Sequence, residues 1–169
     1  MVPMNLAQAG KPVDVIHTGT WTKKALAEIK KVGEARLAGS SEAQKFMRLP
    51  KKEEISLDPN ASFVYLCSNN TIEGTEYKEL PETGDAPLGN DTSSDMFSRP
   101  IDVAKHGVIY AGAQKNRGPA GVIIVIIRDD LIARSAERKA TLPTLLSYAV
   151  EAENNSLYNT PPAFSIYAV

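Results

Sequence analysis

The sequence is poor in the residues from which disulfide frameworks and metal sites are built. It has one cysteine, Cys67, and 2 histidines in 169 residues. A single cysteine excludes an internal disulfide and fits a reducing compartment, so we expect a cytoplasmic protein, with an organelle as the alternative if a leader precedes the sequence. One thiol and two imidazoles are too few for a four-ligand zinc site, so the sequence predicts no bound metal.

The chain also lacks an excess of charge and a long hydrophobic run. Its 19 Lys and Arg residues nearly balance its 20 Asp and Glu residues, for a net charge of −1. Such a balance argues against nucleic acid and an anionic membrane surface as partners. The longest aliphatic run, Val122–Ile127, is far shorter than the roughly 20 residues that span a bilayer. No charged and then apolar leader opens the sequence, so we expect no secretory signal.

Apolar residues are plentiful, at 43% of the chain, which is enough for the core of one domain. Both ends are apolar as well, at Val2–Ala7 and Pro161–Val169. Domain termini are usually polar. We therefore interpret the sequence as an internal piece of a larger protein; the alternative is a small domain with a docked C-terminal tail.

Hydrophobic patterning predicts strands separated by helices and loops, which indicates an α/β layer fold. The predicted strands are Val13–His17, Phe63–Cys67, a short one near Leu88, Gly107–Ala111 and Val122–Ile127.

A helix is predicted over Thr22–Val32, with Thr22 as its N-cap and Gly33 ending it. A shorter helix is predicted over Leu142–Val150. The unbroken apolar run of Val122–Ile127 predicts a strand buried on both faces.

The most informative segment is Gly112–Gly121, which places Lys115 in a loop of small residues between two apolar strands. Desolvation favours the neutral amine, which is the form that attacks a carbonyl carbon, and partly buried lysines of this kind form Schiff bases. The alternative is a lysine that extends from a hairpin loop into water. The segment does not match a nucleotide-binding P-loop, in which the lysine follows the glycines.

Asp91 follows Leu88 and is predicted to lie at the C-terminal end of a short strand, where ligands collect in open α/β sheets. A carboxylate at that edge is suited to pair with a protonated ring nitrogen, as the aspartate of a pyridoxal phosphate site does. The alternative is an ordinary Asx turn or helix N-cap.

Four other side chains are candidates for ligand contacts. Trp21, the only tryptophan, lies between a strand and a helix, where its ring either stacks on a planar ligand or forms a hydrophobic staple with Leu26. Thr71 offers a hydroxyl at the same edge of the sheet. Asn159 and Thr160 precede a predicted helix start, where donors meet anions such as phosphate. For these last three residues ordinary capping is the alternative.

Together these segments resemble the phosphoserine aminotransferases, a family of fold-type I enzymes that depend on pyridoxal 5'-phosphate. The resemblance runs through essentially the whole chain and implies a three-layer α/β domain with a mostly parallel sheet. Its strongest pieces, in chain order, are Thr18–Trp21, Asn70–Gly74, Asp91–Ser94 with Ser98–Pro100, Gly107–Gly121 and Asn154–Pro162.

The resemblance implies a role for each residue of the ring site. Lys115 is implied to form the internal aldimine and then to move a proton between the substrate α-carbon and the cofactor C4′. Asp91 is implied to keep the pyridine nitrogen protonated. Trp21 is implied to stack on the ring, and Thr71 to contact the cofactor on its ring-hydroxyl side.

The cofactor phosphate is implied to be contacted from two chains. Gln114 contacts it within one chain, while Asn159 and Thr160 reach across a homodimer interface to the partner's cofactor. The implied reaction exchanges an amino group between glutamate and 3-phosphohydroxypyruvate, giving 3-phosphoserine and 2-oxoglutarate in L-serine biosynthesis.

By the same resemblance, residues 1–169 are part of the cofactor-binding large domain, truncated at both ends. A glycine-rich phosphate segment, an N-terminal substrate segment and a C-terminal small domain with a carboxylate-binding arginine are absent from it. Asn70 and Asp95 depart from the family pattern, but neither is a cofactor contact in it. Two functions follow: an aminotransferase, or a truncated and catalytically silent homologue that is at most a weak cofactor-binding or interaction module.

Overall fold

The computed structural model describes all residues from Met1 to Val169 and contains one main sheet covered by helices. Its strands are β1 (Val13–His17), β2 (Ala35–Ser40), β3 (Phe63–Cys67), β4 (Asn69–Asn70), β5 (Thr75–Glu76), β6 (Leu88–Asp91), β7 (Val108–Gly112) and β8 (Ile123–Ile127). Its α-helices are α1 (Val2–Leu6), α2 (Thr20–Val32), α3 (Asp129–Glu137), α4 (Tyr148–Glu153) and α5 (Ala163–Tyr167). No helix has the length and hydrophobicity that crossing a bilayer requires.

The main sheet has 6 strands in the order β2-β1-β3-β6-β7-β8. All neighbouring strands pair in parallel except β7 and β8, which pair antiparallel. The short strands β4 and β5 form a separate antiparallel hairpin directly after β3. The predicted α/β fold with a mostly parallel sheet is therefore confirmed. Because β1, β3, β6 and β7 run the same way, their C-terminal ends lie along one edge of the sheet.

Both faces of the central strands are buried, as expected for parallel strands between helical and loop layers. Successive side chains of a strand point to opposite faces. In β3, Phe63 and Tyr65 join the larger core cluster beneath α1 to α4, whereas Val64 and Leu66 join a second cluster on the other face. The continuous apolar run that predicted β3 reflects this double burial.

The α2 helix begins two residues before its predicted start. Its N-cap is Gly19, and Thr22 lies inside the first turn, where its Oγ1 accepts hydrogen bonds from the Gly19 and Thr18 amides at 3.0 and 2.9 Å. The prediction of Thr22 as the N-cap is therefore wrong, although its side chain still satisfies amides next to the helix start. The predicted end at Gly33 is confirmed, because the Gly33 amide closes the last turn.

The β8 strand is present as predicted, but its predicted burial on both faces is wrong. Ile123 is 63% exposed and Ile126 is 37% exposed. The reason is position, since β8 is the edge strand of the sheet and the covering layers leave these two side chains open. The α5 helix, which starts after a proline pair as expected, is also exposed, with Phe164 and Tyr167 outside all three core clusters.

The predicted helix over 142–150 is instead a 3₁₀ turn, Thr144–Leu146, followed by α4. Ser147 separates the two, because its hydroxyl accepts a hydrogen bond from the Val150 amide and starts a new helix. The strand β2 and the helix α3 were not predicted.

Candidate cofactor site

Four predicted site residues come from the C-terminal ends of adjacent parallel strands. Trp21 follows β1, Thr71 lies in the hairpin after β3, and Asp91 is the last residue of β6. Lys115 lies in the turn after β7. Because these strands are neighbours, the four residues share one edge of the sheet, which is where open α/β sheets bind ligands.

Trp21 is in contact with residues from two other strand ends. Its Nε1 donates a hydrogen bond to Thr71 Oγ1 at 3.1 Å. The Nζ atoms of Lys115 and Lys24 lie 4.6 and 4.9 Å from the centroid of its ring, close enough for cation–π attraction. Trp21 lies within the first turn of α2 and not before the helix, so the hydrophobic staple with Leu26 is excluded.

The loop that carries Lys115 is fixed at both sides. The Asn116 side-chain amide donates to the Met96 carbonyl at 3.0 Å, and the Ala113 amide donates to the Val122 carbonyl at 2.9 Å. Lys115 itself is exposed, so the expected partial burial of its amine is not found among the residues of this chain. Instead of being buried, the Lys115 amine lies against the aromatic face of Trp21.

Both carboxylate oxygens of Asp91 accept hydrogen bonds. Oδ1 accepts from the Ser93 amide at 3.0 Å and from the Ser93 hydroxyl at 2.6 Å, and Oδ2 accepts from the Tyr110 hydroxyl at 3.1 Å. The Asx turn considered as an alternative is therefore present at Ser93. It coexists with a half-buried carboxylate at the strand end, because Oδ2 accepts only one hydrogen bond and keeps a second acceptor position.

The groups around Asp91 stay protonated near neutral pH. Burial, together with the nearby Asp91 charge, raises the pKa of Tyr65 and Tyr110 well above the usual value for a phenol. Burial and the same charge raise the pKa of the Cys67 thiol to about 12. The two phenols and the thiol near Asp91 are thus neutral, and of the three only Tyr110 donates to the carboxylate.

The three predicted phosphate contacts are placed differently. The Gln114 amide folds back on the strand end, where its Oε1 lies 2.5 Å from the position that a Cβ at Gly112 would occupy. Asn159 and Thr160 are exposed and make no side-chain hydrogen bond with any other predicted site residue; Asn159 Nδ2 donates only to the Thr160 carbonyl at 3.3 Å. Their predicted role in a partner subunit stays a prediction.

Sequence reasoning missed the carboxylate that holds the start of α2. Glu73 Oε1 accepts from both the amide and the hydroxyl of Thr20 at 2.7 Å, which places a negative charge at the positive end of the helix. A Cβ at Gly19 would collide with this carboxylate. Glu73 belongs to the segment Asn70–Gly74 quoted above, but the residues next to it in the sequence do not indicate that it binds Thr20, which follows a different strand.

Comparison with known proteins identifies the family. The model of the class-V aminotransferases matches residues 1–169. The chain is 51% identical over 169 residues to a phosphoserine aminotransferase of Niallia circulans, an alignment that covers 100% of this chain and 46% of that protein. The chain thus spans about half the length of the curated relatives it matches.

Solved structures share the architecture. The phosphoserine aminotransferase from Bacillus circulans subsp. alkalophilus superposes with a TM-score of 0.94 and 50% identity, covering 99% of this chain and 45% of that one. A phosphoserine aminotransferase from Trichomonas vaginalis with bound pyridoxal phosphate superposes with a TM-score of 0.85 and 39% identity, covering 98% and 46%. The predicted fold-type I architecture is confirmed. The chain belongs to the class-V aminotransferase family.

Proposed function

We propose that the protein is a phosphoserine aminotransferase that uses pyridoxal 5'-phosphate to exchange an amino group between glutamate and 3-phosphohydroxypyruvate, as in L-serine biosynthesis. The observation that carries the proposal is that an amine, an aromatic face and a carboxylate, those of Lys115, Trp21 and Asp91, lie after or at the C-terminal ends of strands along one edge of the sheet, with Lys115 directly over Trp21. The relatives named phosphoserine aminotransferases, at 51% identity, support this substrate class.

The residues at this edge suit the ring of the cofactor better than its phosphate. A protonated pyridine pairs with a carboxylate, which Asp91 provides. The flat face of the ring stacks on an aromatic side chain, which Trp21 provides, and the aldehyde reacts with an amine, which Lys115 provides. For the phosphate the chain offers only the neutral amide of Gln114, so further phosphate contacts from outside residues 1–169 or from a second chain belong to the proposal.

Each residue then has a defined task. When bound, pyridoxal phosphate supplies an aldehyde that condenses with amines and a ring that accepts electrons. Lys115 Nζ acts as the base that carries a proton between the substrate α-carbon and the cofactor C4′. Asp91 holds the proton on the pyridine nitrogen through a charge-assisted hydrogen bond. Trp21 supplies the stacking face, and Thr71, which already accepts from Trp21, contacts the ring-hydroxyl side.

The assembly we propose is a homodimer with shared cofactor sites. Residues 1–169 form part of the large cofactor-binding domain, which agrees with their coverage of 46% of the relatives. Asn159 and Thr160 are exposed and free of contacts with the site of their own chain, as residues that serve a partner's phosphate have to be.

The test is chemical trapping. The protein is incubated with pyridoxal phosphate, reduced with borohydride and digested, and the adduct is located by peptide mass spectrometry. In parallel, formation of phosphoserine from glutamate and 3-phosphohydroxypyruvate is measured. We expect an adduct at Lys115 that Lys115→Ala abolishes. Lys24→Ala is the matched control, because Lys24 also lies over Trp21 but is not assigned to the cofactor.

The outcomes separate the two functions. An adduct at Lys115 with glutamate-dependent turnover supports the aminotransferase. An adduct without turnover identifies the chain as a cofactor-binding but catalytically silent homologue. A reduced protein with no adduct at Lys115 overturns the cofactor site itself.

A further inference from the structure

Tyr110 and Tyr65 lie next to the Asp91 carboxylate, on the strands β7 and β3. The resemblance to the phosphoserine aminotransferases assigns a role to neither tyrosine. Tyr110 on β7 is paired in register with Asp91 on β6, and its hydroxyl lies 3.1 Å from Asp91 Oδ2. The hydroxyl of Tyr65, on β3, lies 3.5 Å from that of Tyr110, and Tyr65 is only 4% exposed. The three groups therefore form a row across three adjacent strands.

The row has a direction. A phenol has one hydrogen to donate, and a carboxylate is a stronger acceptor than another phenol. Tyr110 therefore donates to Asp91, which leaves the Tyr65 hydroxyl to donate to the Tyr110 oxygen. Because burial raises the pKa of both phenols, neither loses its hydrogen over the range in which enzymes work. Tyr110 is thus a permanent donor to the carboxylate.

The other carboxylate oxygen is held from the same strand. Ser93 donates to Asp91 Oδ1 through its hydroxyl, and that hydroxyl accepts a hydrogen bond from the Gly112 amide at 3.1 Å. Tyr110 and Gly112 both belong to β7, which leads directly into the loop of Lys115. The carboxylate is therefore tied through both oxygens to the strand that delivers the amine.

We propose that Tyr110 is a positioning residue, which holds the Asp91 carboxylate in the orientation that meets the ring nitrogen of the cofactor, with Tyr65 fixing Tyr110 from behind. The inference rests on the proposed function, since it requires pyridoxal phosphate at this edge. The expected consequence is confined to the bond between Asp91 and the ring nitrogen. Trp21, Thr71 and Lys115 touch other parts of the cofactor.

The experiment compares two ligands: pyridoxal phosphate and its carbocyclic analogue, in which a carbon replaces the ring nitrogen. Affinities are measured by titration for the unmodified protein, Tyr110→Phe and Tyr65→Phe, and thermal unfolding is recorded for each. We expect Tyr110→Phe to weaken the binding of pyridoxal phosphate by roughly tenfold, because a carboxylate that is no longer held in place makes a poorer hydrogen bond to the ring nitrogen. We expect Tyr65→Phe to weaken it less.

For the analogue we expect equal affinity in all three proteins, because it has no nitrogen for Asp91 to hold. A purely structural role of Tyr110 would instead weaken both ligands alike, and this result would overturn the proposal. Should Tyr110→Phe unfold, Tyr65→Phe, which removes the group that fixes Tyr110, carries the test: a smaller loss confined to pyridoxal phosphate supports the proposal, and equal losses for both ligands or none for either overturn it. If the unmodified protein binds neither ligand, the proposed function fails and this inference with it; if it binds both and Tyr110→Phe changes neither, only this inference fails.

Discussion

The ammonium of Lys115 lies over the indole of Trp21, 4.6 Å from the ring centroid. The two residues come from different parts of the sheet, because Trp21 follows β1, Lys115 follows β7, and β3 and β6 lie between these two strands. A cation on an aromatic face is stabilised by the ring quadrupole, so without a ligand this contact holds the lysine at the site. In the proposed complex the same indole faces a pyridine ring. Binding of the cofactor therefore has to exchange one partner of Trp21 for another.

The first prediction follows from Trp21 being the only tryptophan. Its fluorescence reports this site alone, so we expect quenching when pyridoxal phosphate is added, saturating together with the borohydride-trapped adduct. Lys115→Ala is expected to alter the emission in the absence of ligand and to lose the covalent phase of the quenching. Lys24→Ala controls for loss of a nearby charge. Unchanged emission at concentrations that fill Lys115 would contradict the stacking role of Trp21.

The second prediction concerns the helix that presents Trp21. Glu73 Oε1 accepts from the Thr20 amide and lies at the positive end of α2. Removing this cap by Glu73→Ala is expected to lower the free energy of unfolding by about 1 to 2 kcal/mol, measured by urea denaturation.

Glu28→Ala is the matched control for that cap. Glu28 lies on the same helix but forms only an exposed ion pair with Lys31, so its removal is expected to change stability by less than about 0.5 kcal/mol. Equal effects of the two changes would show that Glu73 does not cap the helix.

The sequence predicts an element correctly where the residues within that strand or turn are enough to form it. The strands β1 and β3 are predicted to the residue: β3 is a continuous apolar run, as buried parallel strands often are, and β1 is mostly apolar although it contains Asp14 and His17. The position of Asp91 follows from Leu88, and that of Lys115 follows from the apolar strand that precedes its loop.

Sequence was uninformative where the stabilising partner is distant. The strand β2 contains Arg36 and Gly39 and has no apolar run, yet it pairs in parallel with β1, and its Arg36 forms an ion pair with Asp14 there.

The third prediction uses that ion pair. Asp14 is fully buried and accepts from Arg36 Nε and Nη2 at 2.7 and 2.6 Å, whereas the Arg36 side chain is 35% exposed. Arg36→Ala leaves a buried carboxylate without its cation and is expected to cost about 3 kcal/mol. Asp14→Asn leaves a guanidinium that water reaches and is expected to cost about half as much. Urea denaturation measures both, and the reverse order would refute the assigned burial.

The fourth prediction concerns pH. His106 is 3% exposed; its Nδ1 donates to the Asp102 carbonyl at 2.9 Å, and its Nε2 accepts from the Asn90 amide at 3.2 Å. This pattern requires the neutral ring, and burial lowers the pKa of His106 below the usual 6.5. Burial likewise lowers the pKa of His17.

The lowered values fix the sign of the pH dependence. In the unfolded chain each histidine binds a proton below about pH 6.5, whereas in the folded chain the same histidine binds its proton only at a lower pH. The free energy of unfolding is therefore expected to be independent of these groups above pH 7, and to fall as the pH decreases from 6.5 through their lowered pKa values.

His106→Gln keeps a polar side chain that does not titrate, so the stability of this variant should fall less over the same interval. Urea denaturation at pH 7.5 and 5.5 checks this, with His17→Gln as the parallel variant. An identical loss in His106→Gln and the unmodified protein would mean that the His106 ring is not held neutral by the fold.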